Sequence, residues 1–121
     1  MLRIVDKAAA VIVALLGVAH LIVGHAAFVS PNERRVWFAS AGFLLIVTGF
    51  ANLAATVAPT RWQRLAALSG SLSILIIGVL LARADPELLA QPQTWVLLAL
   101  GALLTVIRLL PSVRTADART A

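Results

Sequence analysis

Four long apolar segments, separated by short polar stretches, run through the chain. The stretches without any Asp, Glu, Lys or Arg are residues 8–32, 36–60, 65–82 and 88–107. A helix rises about 1.5 Å per residue and the bilayer core is about 30 Å thick, so each stretch can form a spanning helix. We therefore predict an all-α, four-helix integral membrane bundle. Its helices are predicted over about residues 5–28, 36–57, 63–82 and 94–110.

The connections between the segments contain prolines, which are tolerated where a helix begins or ends. The run Ser30-Pro31-Asn32-Glu33 predicts a helix stop followed by an N-cap. The run Asp85-Pro86-Glu87 predicts an N-cap with proline at N1 of a short helical turn. Short connections favour antiparallel neighbours. Residues 1–111 are thus predicted to form one transmembrane domain, followed by a polar cytoplasmic tail over 112–121.

The composition agrees with a membrane protein. Hydrophobic residues make up 61% of the chain and charged residues 12%, whereas a soluble domain has about half and about a quarter. This difference excludes an ordinary soluble enzyme, a disordered tail and a nucleic-acid module. The formal charge of +5 comes from cations at the segment ends, where they influence topology rather than bind nucleic acid. The chain has no cysteine, which excludes disulfides, thiol catalysis and Cys-ligated metals.

The distribution of Lys and Arg predicts the orientation in the membrane. Seven of these residues lie on one side of the predicted spans and three on the other. The positive-inside rule then places both termini in the cytoplasm, and the chain is expected to be a multi-pass protein of the inner (plasma) membrane. The residues expected to anchor the spans at the lipid interfaces are Trp37, Trp62, Trp95, Arg61 and Arg64.

A secretory signal peptide is the alternative interpretation of the first segment. Arg3 and Lys7 precede the apolar run, and Gly24-His25-Ala26 has the small-x-small pattern of a cleavage site. The run is long for a signal peptide, however, and three further spans follow it. We therefore favour a first transmembrane helix.

Few polar side chains lie inside the spans, and such groups usually face the bundle interior or a cavity. They are His20, His25, Ser40, Thr48, Asn52, Ser69, Ser71, Ser73 and Thr105. His20 shares a helix face with Gly17 and Gly24, which directs it towards a neighbouring helix. Its depth matches that of Ser40, its expected hydrogen-bond partner. His20 is then either a packed neutral imidazole or a proton carrier, ligand donor or haem ligand, and His25 is an interfacial polar tip.

A second polar layer is expected in the other half of the bilayer. Gly42, Gly49 and Asn52 share one face of the second segment, and counting residues aligns Asn52 with Ser69 on the third. Two interpretations stay open at this point. The layer is either interhelical hydrogen bonding, at about 0.6 kcal/mol per bond, or a small polar pocket that opens to the cytoplasm.

Charged groups are expected to stay outside the bilayer core. We expect no carboxylate in the spans, which argues against the mechanism of small multidrug antiporters, four-span proteins that use a Glu in their first helix. Arg108 is expected to extend to the lipid headgroups. A metal site is disfavoured, because His20 and His25 are five residues apart and do not converge on one ion. Quinone and haem stay open as cofactors, and haem would need a second axial ligand or five-coordinate iron.

Several motifs in the first half of the chain resemble small bacterial four-helix membrane proteins of the DoxX-like type. They are Gly17-x-x-His20, Pro31, Trp37-Phe38-x-Ser40-x-Gly42 and Gly49-x-x-Asn52-Leu53. The resemblance implies a four-helix bundle with an accessory redox or assembly role, since some members are similar to membrane subunits of quinone-linked oxidoreductases. A redox role would need a bound quinone, haem or partner subunit, because the chain has no cysteine.

Three functional hypotheses follow. The first is an accessory or structural membrane protein, associated with a membrane redox complex, that forms a homo-oligomer or docks on a larger membrane protein. The expected absence of a charge pair inside the membrane favours it. The second is a quinone- or lipid-binding protein that uses His20 and Ser40. The third is a small transporter or channel subunit with a polar layer at Asn52 and Ser69.

Overall fold

The computed structural model describes residues 1–27, 33–57 and 60–110, and this part of the chain is all-helical. The helices are α1 (Leu2–Ala27), α2 (Glu33–Val57), α3 (Arg61–Ala84) and α4 (Pro92–Leu109). A 3-10 turn over Pro86–Ala90 joins α3 to α4. All four helices are long and apolar enough to cross a membrane, which confirms that part of the sequence prediction. Their bounds lie within three residues of the predicted spans.

The helices pack in the order of the chain, and each is antiparallel to the next. The contact of α1 with α2 is the most extensive, α2 packs on α3, α3 packs on α4, and a smaller contact of α1 with α4 closes the ring. We call the end at which α1 begins and α4 ends the terminus end, and the other the hairpin end. The buried apolar core is formed by Ala9, Val13, Leu45, Ile74 and Leu104.

Glycine allows α1 and α2 to touch at their backbones. A Cβ added to Gly17 would lie 2.6 Å from the backbone oxygen of Gly42, and one added to Gly49 would lie 2.7 Å from that of Ala10. No side chain fits at such distances. The small-residue face predicted for the first segment is therefore the face that contacts α2.

Most of the apolar surface of the bundle faces outwards. Only 22% to 33% of the most apolar window of each helix is buried within the protein. Large side chains such as Ile22, Phe43 and Leu80 are more than half exposed. An apolar exterior on this scale is expected where lipid or another membrane protein is the neighbour.

Local capping explains where α3 and the 3-10 turn begin. Thr60 accepts a hydrogen bond from the backbone of Gln63, whose side chain accepts in return from the backbone N–H of Thr60. Asp85 accepts from the backbone of Glu87, with Pro86 next to the cap, as the sequence predicts. The polar tail over residues 112–121 lies outside the described residues. So does the predicted Ser30–Glu33 connection, except for Glu33, with which α2 begins.

Candidate functional site

A buried ion pair joins the first and last helices at the terminus end. Nη2 of Arg108 on α4 donates to Oδ1 of Asp6 on α1 at 2.8 Å. Asp6 is 3% exposed and Arg108 is 4% exposed. Both helix segments are apolar enough to span a membrane. The expectations that the spans lack a carboxylate and that no charge pair lies inside them are therefore wrong.

The direction of the Arg108 side chain follows from the direction of α4. Cα–Cβ bonds tilt towards the N-terminus of a helix, and α4 begins at the hairpin end. Although Arg108 is next to the last residue of α4, its side chain is therefore directed into the bundle. The prediction that Arg108 extends to the lipid headgroups is wrong, because acceptors on α1 and α2 hold it inside.

Asn52 on α2 supplies further acceptors for Arg108. Its Oδ1 accepts from Nε of Arg108 at 3.0 Å, and its backbone oxygen accepts from Nη2 at 2.9 Å. Asn52 is completely buried. Its Nδ2 donates to Oγ of Ser71 on α3 at 3.1 Å and to the backbone oxygen of Thr48 at 3.0 Å. The Asn52 amide therefore bonds to α3 through its nitrogen and to α4 through its oxygen.

We refer to Asp6, Asn52, Ser71 and Arg108 as the Arg108 cluster. Each of the four helices contributes one member, and all four are buried. Ser71 completes the cluster by donating to the backbone oxygen of Ala67 at 2.8 Å. A buried polar group is stable only when it is hydrogen-bonded. The cluster thus links all four helices through hydrogen bonds between its members.

Ser69 does not belong to this cluster. It is exposed, and its backbone oxygen accepts from Oγ of Ser73. Two residues correspond to about 200° of rotation on a helix, so Ser69 and Ser71 lie on opposite sides of α3. The count that aligned Asn52 with Ser69 in depth agrees with the structure to within two residues, but Ser69 does not face Asn52. Asn52 bonds to Ser71, not to Ser69.

His20 and Ser40 have separate partners instead of the predicted hydrogen bond. The ring of half-buried His20 stacks on Phe38, with centroids 4.5 Å apart and planes at 12°. Oγ of Ser40 donates to the backbone oxygen of Val36 at 2.9 Å, one turn earlier in α2. His20 therefore faces α2, as predicted, but its neighbour there is aromatic. A ligand-binding role for these two residues stays a prediction.

Two buried polar atoms of the described residues have no hydrogen-bond partner. They are Oγ1 of Thr48 and Nη1 of Arg108. The Thr48 hydroxyl lies close to α3, since a Cβ added to Gly70 would be 2.7 Å from it. Arg108 thus bonds through Nε and Nη2 and leaves one guanidinium nitrogen unused.

The predicted anchor residues lie near the helix ends. The three tryptophans are 58% to 77% exposed, and Nε1 of Trp95 donates to the backbone oxygen of Leu89. Arg61 is exposed and Arg64 is half-buried. Trp62, Arg61 and Arg64 are at the terminus end, whereas Trp37 and Trp95 are at the hairpin end. An interface role for these side chains stays a prediction.

Comparisons with protein-family models, curated proteins and solved structures give no match for this chain. The DoxX-like resemblance gains no support from them and stays a prediction. Within residues 1–27, 33–57 and 60–110, no group of three or more His, Cys, Asp or Glu side chains could hold a metal ion.

Sequence reasoning missed Asp6 and Arg108, although helical spacing carries a signal for both. Asp6, Ala10, Val13 and Gly17 follow each other at spacings of four, three and four, so Asp6 continues the contact face of α1. Arg108 continues the buried face of α4 in the same way, after Gly101 and Leu104. The predicted spans 5–28 and 94–110 include both residues, but a search for uncharged polar side chains within them passes over an Asp and an Arg near the span ends.

Proposed function

We propose that this chain is a multi-pass integral membrane protein with both termini in the cytoplasm and a structural or accessory role in a larger membrane assembly. Four long apolar helices and a mainly apolar exterior support insertion. The excess of Lys and Arg on the side of the termini supports the orientation. On this proposal the partner is a second copy or a larger membrane protein, which packs against the exposed apolar helix faces.

The observation that carries the structural role is that the Arg108 cluster bonds inwards. Asp6, both ends of the Asn52 amide and the Ser71 hydroxyl all have partners on other residues of this chain. The strongest polar groups of the spans are therefore used to join helices, and they are almost completely buried. Such a cluster fixes how the four helices are arranged. A bundle with a fixed arrangement offers a defined outer surface to a partner.

Reconstitution into liposomes tests this function. We expect the wild-type protein to give no proton or monovalent-cation flux above protein-free liposomes, and Asp6→Asn to lower the melting temperature in detergent. Asp85→Asn is the matched control, because Asp85 is an exposed carboxylate at the hairpin end. Wild-type flux that is lost in an Asp6→Asn protein of unchanged melting temperature would overturn the structural role.

A transporter or channel subunit is a second candidate, favoured by the Asp6 carboxylate. Ionisable groups inside a membrane often belong to ion or proton pathways, and Nη1 of Arg108 has no partner among the described residues. If this candidate is right, flux is present in the wild type and is abolished by Asn52→Leu, whereas Ser69→Leu on the exposed side of α3 has no effect.

Quinone or lipid binding through His20 and Ser40 is a third candidate, which the stacked His20–Phe38 pair favours. An aromatic pair at the contact of two helices is a surface on which a planar ring can stack. Organic extraction of protein purified from quinone-containing membranes would then yield quinone in proportion to protein. His20→Ala should remove it and His25→Ala should not. An extract free of quinone or an unchanged yield in His20→Ala would reject this candidate.

A further inference from the structure

A cleft opens between the end of α1 and the beginning of α2, at the hairpin end of the bundle. It encloses about 200 Å³ and is lined by Leu21, Gly24, His25, Arg35 and Ala39. It is far from the Arg108 cluster, which occupies the terminus end. The cleft is partly open to the outside and combines an apolar wall with two nitrogen-rich side chains.

The polar side of this cleft offers hydrogen-bond donors. Nη2 of Arg35 contacts Nδ1 of His25, and an arginine can only donate. Nδ1 of His25 is therefore the acceptor, and its Nε2 carries the proton. The cleft is thus bordered by a cationic guanidinium and an imidazole N–H, and within residues 1–27 and 34–57 no acidic side chain lines it. This arrangement is complementary to a phosphate or another oxyanion.

The apolar side lies deeper in the bundle. His25 and Arg35 are each two residues from a helix end, whereas Leu21 and Ala39 are each six residues from one. At about 1.5 Å per residue, these positions are roughly 3 Å and 9 Å below the helix ends. In a spanning helix, the donors therefore lie near headgroup level and the apolar wall near the start of the acyl chains.

We propose that this cleft binds the phosphate headgroup of an anionic membrane lipid, with Arg35 and His25 as donors to its oxygens. The volume accommodates a headgroup rather than a whole lipid. The acyl chains would follow the exposed apolar surface of α1 and α2, which includes Ile22 and Val36. The proposal depends on the membrane insertion proposed above and not on the accessory role.

Native mass spectrometry of the full chain in mild detergent tests this site. The probes are phosphatidylglycerol, phosphatidylcholine with the same acyl chains, and inorganic phosphate. We expect one phosphatidylglycerol per chain, retained at collision energies that remove phosphatidylcholine. Arg35→Gln should weaken phosphatidylglycerol binding by roughly tenfold, because it removes a charge-assisted hydrogen bond.

Two further variants make the outcome specific. Arg83→Gln is the control, since Arg83 is an exposed cation near the hairpin end that does not line the cleft, and it should leave binding unchanged. Ala39→Phe fills the cleft but keeps its charges, and it should weaken binding as Arg35→Gln does. Helical circular dichroism shows that each variant is folded.

The site assignment is rejected if Arg35→Gln and Arg83→Gln weaken binding equally, if phosphatidylcholine is retained equally well, or if Ala39→Phe has no effect. Displacement of phosphatidylglycerol by millimolar inorganic phosphate would assign the cleft to free phosphate and reject the lipid. Failure of membrane insertion is a separate result, because the protein would then stay in solution without detergent.

Discussion

Asp6 and Arg108 are 102 positions apart in the sequence, yet Oδ1 of Asp6 lies 2.8 Å from Nη2 of Arg108 inside the bundle. This pair joins the first helix to the last. It closes a ring of four helices in which every other pair of neighbours is consecutive in the chain. Breaking the pair therefore tests whether α4 is held to the rest of the bundle by polar contacts.

Removal of either charge should destabilise the protein strongly. Asp6→Ala and Arg108→Met each leave a buried charge without its partner, which costs about 3–5 kcal/mol. The double variant should cost less than the sum of the two, because no unpaired charge is left. Unfolding of the four proteins in mixed detergent micelles gives the coupling energy. A coupling near zero would mean that the two side chains do not interact.

Ser71 and Ser69 provide a matched comparison on one helix. Ser71→Ala removes the hydroxyl that accepts from Asn52, and we expect a loss of about 0.6 kcal/mol, the average for a hydrogen bond between membrane helices. Ser69→Ala alters an exposed position and should change stability by less than the error of the measurement. Equal effects in the same detergent unfolding assay would contradict the assigned face of α3.

Gly17 should tolerate a methyl group less well than Gly101. An added Cβ at Gly17 meets the backbone of α2 at 2.6 Å, whereas at Gly101 the nearest atom is a side-chain carbon of Ile74 at 3.2 Å. We expect Gly17→Ala to destabilise by about 1–3 kcal/mol, since α1 and α2 have to separate. Gly101→Ala should cost clearly less, because at 3.2 Å a neighbouring side chain has to give by only a few tenths of an ångström and no backbone has to move. Thermal unfolding in detergent compares the two variants.

The orientation can be measured with single cysteines, since the natural chain has none. We expect a membrane-impermeant maleimide to label Asp85→Cys in intact cells, because Asp85 lies at the hairpin end. Arg3→Cys, at the terminus end, should be labelled only after lysis. The opposite pattern would place the termini outside the cytoplasm, and labelling of both in intact cells would contradict four spans.

The number and approximate position of the helices follow from the sequence alone. Spans of about 20 apolar residues can satisfy their backbone in a membrane only as helices, and charges and prolines mark their ends. The Asp85 cap and the small-residue contact face of α1 also follow from local patterns, because spacing along one helix determines which residues share a side.

The partners of the polar side chains were decided by the tertiary structure. Depth counting aligned Asn52 with Ser69, but it could not show that Ser71 is the serine that faces Asn52, because helix rotation depends on packing against a neighbour. The pairing of Asp6 with Arg108 could not be predicted, because nothing local indicates that α1 and α4 meet. Their burial becomes favourable only when each supplies the charge that the other needs. That condition depends on the arrangement of all four helices, and the periodicity within one helix does not determine this arrangement.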